Sequence, residues 1–131
     1  MIEYSLNKKK VDLAKLVQLF EQVGWEDKTE GLERLKAMVD NSQIVVTAWA
    51  NDKMIGFARC TTDYVFNGQI NNVVVDIDYR GQGVGKGLIS RIVESSEQVT
   101  YILRGDPENK EFYKKLGFRD SDLTFVYPRK K

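Results

Sequence analysis

The 131-residue chain contains no histidine, one cysteine and two prolines. Without histidine, neither a Ser-His-Asp triad nor a Cys-His pair can form, and His-ligated zinc, copper or iron is excluded. The lone Cys60 cannot form an intrachain disulfide, and its apolar surroundings in the sequence indicate a core residue. Any catalysis must therefore use carboxylates, Tyr, Lys, Ser/Thr, Cys60 or the backbone, and we predict no metal site.

The chain also lacks an excess of either charge and any long apolar run. It has 20 basic and 19 acidic residues, which gives no overall attraction for nucleic acid. The longest strongly apolar stretch, residues 44–50, is too short to span a bilayer. Met1-Ile2-Glu3-Tyr4 lacks the basic and apolar regions of a signal peptide. We therefore expect a cytoplasmic protein that binds neither nucleic acid nor membranes.

Length and composition, with 42% hydrophobic and 30% charged residues, are typical of a globular chain, and we expect residues 1–131 to form a single domain. Apolar periodicity predicts four helices, near residues 11–23, from a cap at Thr29 to Val39, at 84–95 and at 107–116. It predicts strands near residues 2–6, 43–50, 54–62, 69–76, 99–104 and 123–127. This order predicts an α/β (α+β) fold with a mixed central sheet of about six to seven strands flanked by four helices.

A glycine-rich loop, Arg80–Lys86, lies between a predicted buried strand and a predicted helix. Unpaired N–H groups and the helix dipole attract anions at such a position, and glycine lets a phosphate approach the backbone. The glycine spacing fits neither the Rossmann fingerprint nor the P-loop. The loop therefore predicts a phosphate or pyrophosphate site, with a tight turn that binds no ligand as the alternative.

Two stretches of the chain carry more specific patterns. Arg80–Gly85 reads Arg-x-x-Gly-x-Gly directly after Val73–Tyr79, and Phe112–Phe118 reads Phe-Tyr-x-Lys-x-Gly-Phe. These patterns resemble the acyl-CoA-binding motif and the downstream signature of the GNAT N-acetyltransferase superfamily. The chain is similar to small single-domain bacterial-type members over essentially its whole length, most strongly over residues 73–118.

The resemblance implies that acetyl-CoA is the co-substrate and that different residues bind its different parts. N–H groups from Gln82 to Lys86 hold the pyrophosphate, the strand at Val73–Val75 pairs with the pantetheine amides, and an N–H near Val74 polarises the thioester carbonyl. Tyr113 lies beside the sulfur and serves as general acid. The implied coenzyme-binding residues are Val73, Val74, Val75, Arg80, Gly81, Gln82, Gly83, Val84, Gly85, Lys86, Asn109 and Tyr113.

Two departures from the superfamily pattern affect these assignments. Asp106 stands where many members have the Asn that contacts CoA, so that contact is assigned to Asn109. Asn72 stands where related sequences often carry an acid, and an amide cannot accept the amine proton. The proton must then leave through water or reach another acid, such as Asp63 or Asp76.

The resemblance predicts transfer of an acetyl group to a primary amine by direct attack on the thioester. We expect a small-molecule amine as acceptor, ahead of a protein lysine or N-terminus, recognised by loops near Trp25, Tyr64 and Phe66. For Trp25, packing against a helix is the alternative role. A homodimer is plausible by resemblance to the superfamily. The competing hypothesis is a catalytically silent acyl-CoA-binding module, acting as a sensor or partner subunit, which Asn72 favours and Tyr113 opposes.

Overall fold

The computed structural model of the chain describes residues 1–25, 31–121 and 123–130. Its helices are α1 (Leu13–Gln22), α2 (Leu32–Asp40), α3 (Val84–Val93) and α4 (Lys110–Lys115). Its strands are β1 (Glu3–Ser5), β2 (Ile44–Ala50), β3 (Lys53–Thr62), β4 (Asn67–Val75) and β5 (Thr100–Leu103). Short 3₁₀ turns lie at Lys8–Lys10, Ile77–Tyr79 and Pro107–Asn109.

The five strands form one mixed sheet in the order β1-β2-β3-β4-β5. The first four strands are antiparallel, and β5 runs parallel to β4. The mixed sheet with four helices is confirmed, although the described residues form five strands and not six to seven.

The predicted last strand, residues 123–127, is the part of the strand prediction that is wrong. The segment is rich in β-forming residues but pairs with no strand, and Leu123 and Phe125 are 77% and 90% exposed. Strand propensity reflects packing against neighbours on a sheet, so the sequence pattern alone does not create a strand.

Two apolar layers cover the two faces of the sheet. On one face, Leu88 and Ile92 of α3 pack against β2 and β3. On the other face, Leu16 and Phe20 of α1 and Leu35 of α2 pack against Phe57 and Val74. The apolar run Val73–Val75 at the end of β4 is thus explained, because its successive residues face different layers.

The ends of the helices follow their sequence signals. The Asp12 side chain accepts a hydrogen bond from the Lys15 N–H and begins α1, and Gly24, at φ +79°, follows its last turn. The predicted cap at Thr29 lies outside the described residues.

Cys60 is buried in β3, and burial raises the pKa of its thiol to about 11, as suits an inert core residue. Within the described part of the chain, no helix is both long and apolar enough to cross a membrane.

Candidate active site

Strands β4 and β5 separate partway along their length. They pair from Asn67 and Thr100 as far as Ile70 and Leu103, where β5 ends. β4 continues for five more residues to Val75, and on this edge no described strand pairs with them. A gap therefore opens beside Val73, Val74 and Val75.

A β-bulge marks the point where β4 leaves β5. In the pairing with β3, Phe57 faces Val74 and Arg59 faces Asn71, so Ala58 alone faces both Asn72 and Val73. Asn72 takes a positive φ of 55°, which asparagine tolerates better than most residues. Bulges bend a strand and change the direction of its groups, which here affects the strand beside the gap.

The main-chain groups of Val75 point into the gap. The N–H of Asp76 donates to the Ile55 carbonyl at 2.7 Å, and main-chain groups alternate in direction along a strand. Those of Val75 therefore point away from β3, and Arg80 Nε reaches its carbonyl at 3.2 Å. The main-chain groups of Val74 itself point toward β3. The N–H predicted near Val74 to polarise the thioester carbonyl must therefore belong to Val73 or Val75.

The glycine-rich loop ends at the N-terminus of α3. Gly83 takes a left-handed conformation at φ +82° immediately before the helix, and Gly81 has φ +79°. Since the first helical hydrogen bond runs from the Gly87 N–H to the Gly83 carbonyl, the N–H groups of residues 84–86 precede it. A Cβ on Gly81 or Gly83 would meet no atom within 4 Å, so the space in front of the loop is open. Free N–H groups and open space suit a phosphate or diphosphate group.

The first turn of α3 packs between Phe112 of α4 and the end of β4. A Cβ on Gly85 would lie 3.2 Å from Phe112 Cζ and 3.9 Å from Val75 Cγ2. Glycine at position 85 thus lets α4 approach α3 closely.

Tyr113 is held on α4 by aromatic and backbone neighbours. Its ring is edge-on to Phe112 at 5.0 Å and to Phe118 at 5.8 Å, and a Cβ on Gly105 would lie 2.9 Å from its Cε2 atom. Burial and the charge of Asp106 raise the pKa of Tyr113. The phenol therefore stays protonated at neutral pH and can donate a hydrogen bond.

A cavity of about 1070 Å³ lies between β5, α4 and the C-terminal segment. Tyr113, Leu103, Gly105 and Gln69 are among the residues that line it. It places Tyr113 on the wall of a space large enough for a ligand.

The structure does not bring Tyr64 and Phe66 to this site. Both lie in the turn before β4, and Val74 is eight positions after Phe66, or roughly 26 Å at the rise of a strand. Three N–H groups of this turn donate to the Asp63 carboxylate and lower its pKa. Asp63, one of the two predicted proton acceptors, is therefore both distant from the gap and weakly basic.

Asp76, the other predicted proton acceptor, is occupied by lysines. Lys15 Nζ lies 2.9 Å and Lys53 Nζ 3.8 Å from Asp76 Oδ2, and the carboxylate also accepts the Asp78 N–H. Burial favours a higher pKa for Asp76, but these hydrogen bonds and charges outweigh burial and lower it. Asp76 is thus better suited to hold the fold than to accept a proton.

Trp25 and Asn109 lie at the edges of the candidate site. Trp25 is partly buried beside the α1 layer, with its ring edge-on to Phe20 at 5.3 Å, which supports a packing role. Asn109 is exposed at the end of the 3₁₀ turn before α4, where its side chain makes no capping hydrogen bond.

Sequence reasoning missed Arg59. Its Nε donates to Asn72 Oδ1 at 2.7 Å, directly at the bulge. The available signal was an arginine inside the otherwise apolar run of residues 54–60. The sequence could not show that Arg59 lies opposite Asn71 in the pairing of β3 with β4.

The gap beside the end of β4 lies next to a helix N-terminus that is preceded by a glycine-rich loop. This arrangement is typical of proteins that bind an extended ligand carrying phosphates. The model of the Acetyltransferase (GNAT) family matches residues 10–118. Because this match spans most of the chain, the protein belongs to the GNAT family and is an N-acetyltransferase.

Relatives with assigned names agree with this family. The "Uncharacterized N-acetyltransferase ycf52" of Pyropia yezoensis is 37% identical over 96% of this chain and 78% of its own length. The "Histone acetyltransferase TAP1" of Glycine max is 35% identical over 82% of this chain and 52% of its own. The "Serotonin N-acetyltransferase 2, chloroplastic" of Oryza sativa subsp. japonica is 31% identical over 82% and 56%.

Solved structures share the fold. A crystal structure from Staphylococcus aureus, described as a probable acetyltransferase, superposes with a TM-score of 0.83 at 21% identity, covering 98% of this chain and 99% of its own. A crystal structure from Clostridium acetobutylicum, described as a predicted acetyltransferase with acetyl-CoA, has a TM-score of 0.74 at 21% identity over 98% of this chain and 96% of its own.

Proposed function

We propose that the chain transfers an acetyl group from acetyl-CoA to a primary amine, which attacks the thioester directly. The observation that carries the proposal is the end of β4 beside the N-terminus of α3, where no strand among the described residues pairs with β4 on the β5 side. The N-terminus of α3 has free N–H groups that can bind phosphates, and the edge of β4 has main-chain groups that can pair with amides.

The coenzyme is held by charge and by the backbone. The N–H groups of residues 84–86 face the diphosphate, and the exposed Arg80 and Lys86 add positive charge. The strand edge at Val73 and Val75 pairs with the pantetheine amides. The thioester supplies an acyl group activated toward amines.

Two groups of the chain act on the transfer itself. The N–H of Val73 or Val75 donates to the thioester carbonyl oxygen, where negative charge develops. The Tyr113 hydroxyl donates to the departing sulfur, as its raised pKa permits. Since Asp63 and Asp76 are unsuitable bases, the amine proton leaves through water.

The acceptor is a small primary amine, and a protein lysine or N-terminus is the less favoured choice. The relatives named above include an enzyme named for serotonin and one named for histone.

The test is release of CoA thiol from acetyl-CoA with a panel of small amines and a lysine peptide. We expect amine-dependent release, with acetyl-CoA binding measured separately by calorimetry. Binding without release for any amine would contradict the proposal and support the silent acyl-CoA-binding module.

A further inference from the structure

Arg59 lies on the face of the sheet opposite α3. It pairs in register with Val45 and Asn71, and Val45 belongs to the layer under α1 and α2. Directly opposed residues project from the same face, so Arg59 and Asn71 share this side. Since the diphosphate cradle belongs to α3, a group bound at Arg59 is not part of the cradle.

The guanidinium of Arg59 is partly buried, and its hydrogen-bond partners are neutral. Nε donates to Asn72 Oδ1 at 2.7 Å, and Nη1 lies 3.4 Å from Ser42 Oγ. Among the residues that the structure describes, no carboxylate lies within ion-pair distance of it. The side chain has five N–H donors, so it retains donors for a further acceptor.

A partly buried cation without a counter-charge is unfavourable, and the chain pairs such a cation elsewhere. Lys15, which is also partly buried, has Asp76 as its carboxylate partner at 2.9 Å. Burial lowers the pKa of Arg59, but a guanidinium stays charged in proteins. The positive charge on this face therefore remains uncompensated by the described residues.

Strand β4 lies between this charge and the position of the thioester, so the two are two strand spacings, or roughly 10 Å, apart. Adjacent strands are about 4.8 Å apart, and Arg59 on β3 is hydrogen-bonded to Asn72, the residue before Val73. Polar amides extend the same face toward the cavity, since Gln69 Nε2 donates to Asn71 Oδ1 at 3.2 Å and Gln69 lines the cavity. An acceptor whose amine reaches the thioester at Val73 and whose anionic group lies a few bonds away could bridge this separation across the face that carries Asn71 and Arg59.

We propose that Arg59 binds an anionic oxygen group of the acceptor, so that preferred acceptors are amines with a carboxylate or phosphate a few bonds from the amino group. This inference rests on the proposed acetyl transfer for its acceptor. A guanidinium binds either group through paired N–H donors, and Asn72 and Ser42 hold it in place. A merely structural Arg59, which fixes the bulge through Asn72, is the competing role.

Matched acceptor pairs test the proposal in the wild-type chain. β-Alanine is compared with propylamine for the carboxylate, and phosphoethanolamine with ethanolamine for the phosphate. We expect kcat/KM at least about tenfold higher for the anionic member of one pair, and the better pair identifies the group. Equal kcat/KM within both pairs, or a preference for the neutral members, would overturn the inference.

Variants then assign the preference to Arg59. Arg59→Gln is expected to lower kcat/KM about tenfold or more for the anionic member and to leave the neutral member and acetyl-CoA affinity unchanged. Arg59→Lys should retain part of the preference. Arg34→Gln, an exposed arginine on α2, is the matched control and should retain all of it. An equal loss for both members of a pair would instead show that Arg59 only positions the bulge.

Asn72→Asp tests the missing counter-charge without removing Arg59. It places a carboxylate where Asn72 Oδ1 now accepts Arg59 Nε, so the guanidinium is neutralised in place. We expect the preference for anionic acceptors to fall at least about fivefold while the neutral amines are still used. A preference that survives in Asn72→Asp would contradict a role for the uncompensated charge.

Binding separates failure of this inference from failure of the proposed function. Calorimetry of β-alanine and phosphoethanolamine is carried out on CoA-loaded protein, with and without Arg59→Gln. If no amine is acetylated but Arg59-dependent binding is found, the acetyl-transfer proposal fails and the anion site stands. If neutral amines are acetylated but neither anionic amine binds through Arg59, the anion site fails and the acetyl-transfer proposal stands.

Discussion

The hydroxyl of Tyr113 is the one polar atom of a ring that is otherwise held by apolar contacts. Tyr113→Phe keeps the contacts with Phe112, Phe118 and Gly105, so fold and acetyl-CoA affinity should change little. A group that acts only in the transition state lowers kcat and kcat/KM together. We expect a loss of roughly 10²-fold, the lower end for general acid catalysis, because a CoA thiolate is already a fair leaving group.

Steady-state kinetics with acetyl-CoA binding measured in parallel checks this prediction. Tyr4→Phe, on the opposite edge strand β1, is the control and should leave kcat unchanged. Wild-type kcat in Tyr113→Phe would make Tyr113 a wall of the cavity only. Loss of acetyl-CoA binding would make the hydroxyl a binding contact.

Single residues differ in how far the sequence alone could place them. Gly83 and Tyr113 stand in local motifs, so their neighbourhood on α3 and α4 could be predicted. Tyr64 and Phe66 are near β4 in sequence, yet the turn places them at its far end. Arg59 reaches the bulge only through its register with Asn71, which no local pattern encodes.

At the scale of elements, the start of α3 depends on the left-handed conformation of Gly83. Gly83→Val introduces a β-branched side chain at φ +82°, which costs about 1–2 kcal/mol of folding free energy. The side chain would also fill the open space in front of the N–H groups. We expect CoA affinity, measured by calorimetry, to fall at least tenfold in a folded protein.

Gly31→Val is the matched control for this substitution. Gly31 precedes α2 with the same φ of +82°, and a Cβ there would also meet no atom within 4 Å; its ψ of 115° lies outside the left-handed helical region of Gly83, so valine is strained at least as much at position 31. CoA affinity should be unchanged in Gly31→Val. Equal affinity in the two variants would remove the loop from the coenzyme site.

Helix α1 is tied to the end of β4 by the Lys15–Asp76 ion pair. The Asp76 side chain is 2% exposed, so Asp76→Asn leaves Lys15 without its carboxylate. We expect a loss of about 3 kcal/mol in the free energy of unfolding at pH 7, the lower end for buried pairs, because Lys15 can reach water. Asp40→Asn, which breaks the exposed Lys36 pair, should cost less than about 1 kcal/mol.

The sign of the pH dependence follows from the lowered pKa of Asp76. The stabilisation is fully present above the pKa of an unfolded aspartate, about 3.9, and is lost as the pH falls through the lower pKa of the folded state. Urea denaturation should therefore show a smaller difference between wild type and Asp76→Asn at pH 3 than at pH 7. A difference that does not depend on pH would assign the loss to packing.

For the whole molecule, the order of elements could be predicted because helical and strand periodicities are local properties of the sequence. The divergence of β4 from β5 could not, because it depends on where β5 ends relative to β4. The pattern of residues 123–127 predicts a strand, but a local pattern does not show whether a sheet edge is available to pair with it. The cytoplasmic location and the homodimer stay predictions.

The C-terminal segment lets the arrangement of the whole chain be tested. Because the Phe125 side chain is 90% exposed, Phe125→Ser removes almost no buried apolar surface. We expect the free energy of unfolding to change by less than about 0.5 kcal/mol at low protein concentration. Phe57→Ser, at a fully buried position on β3, is the control and should cost several kcal/mol, about 3–5 for loss of a large core side chain. A loss above 2 kcal/mol for Phe125→Ser would show that residues 123–127 pack against the sheet. If that loss grew with protein concentration, the packing partner would be a second copy of the chain, because only association depends on concentration.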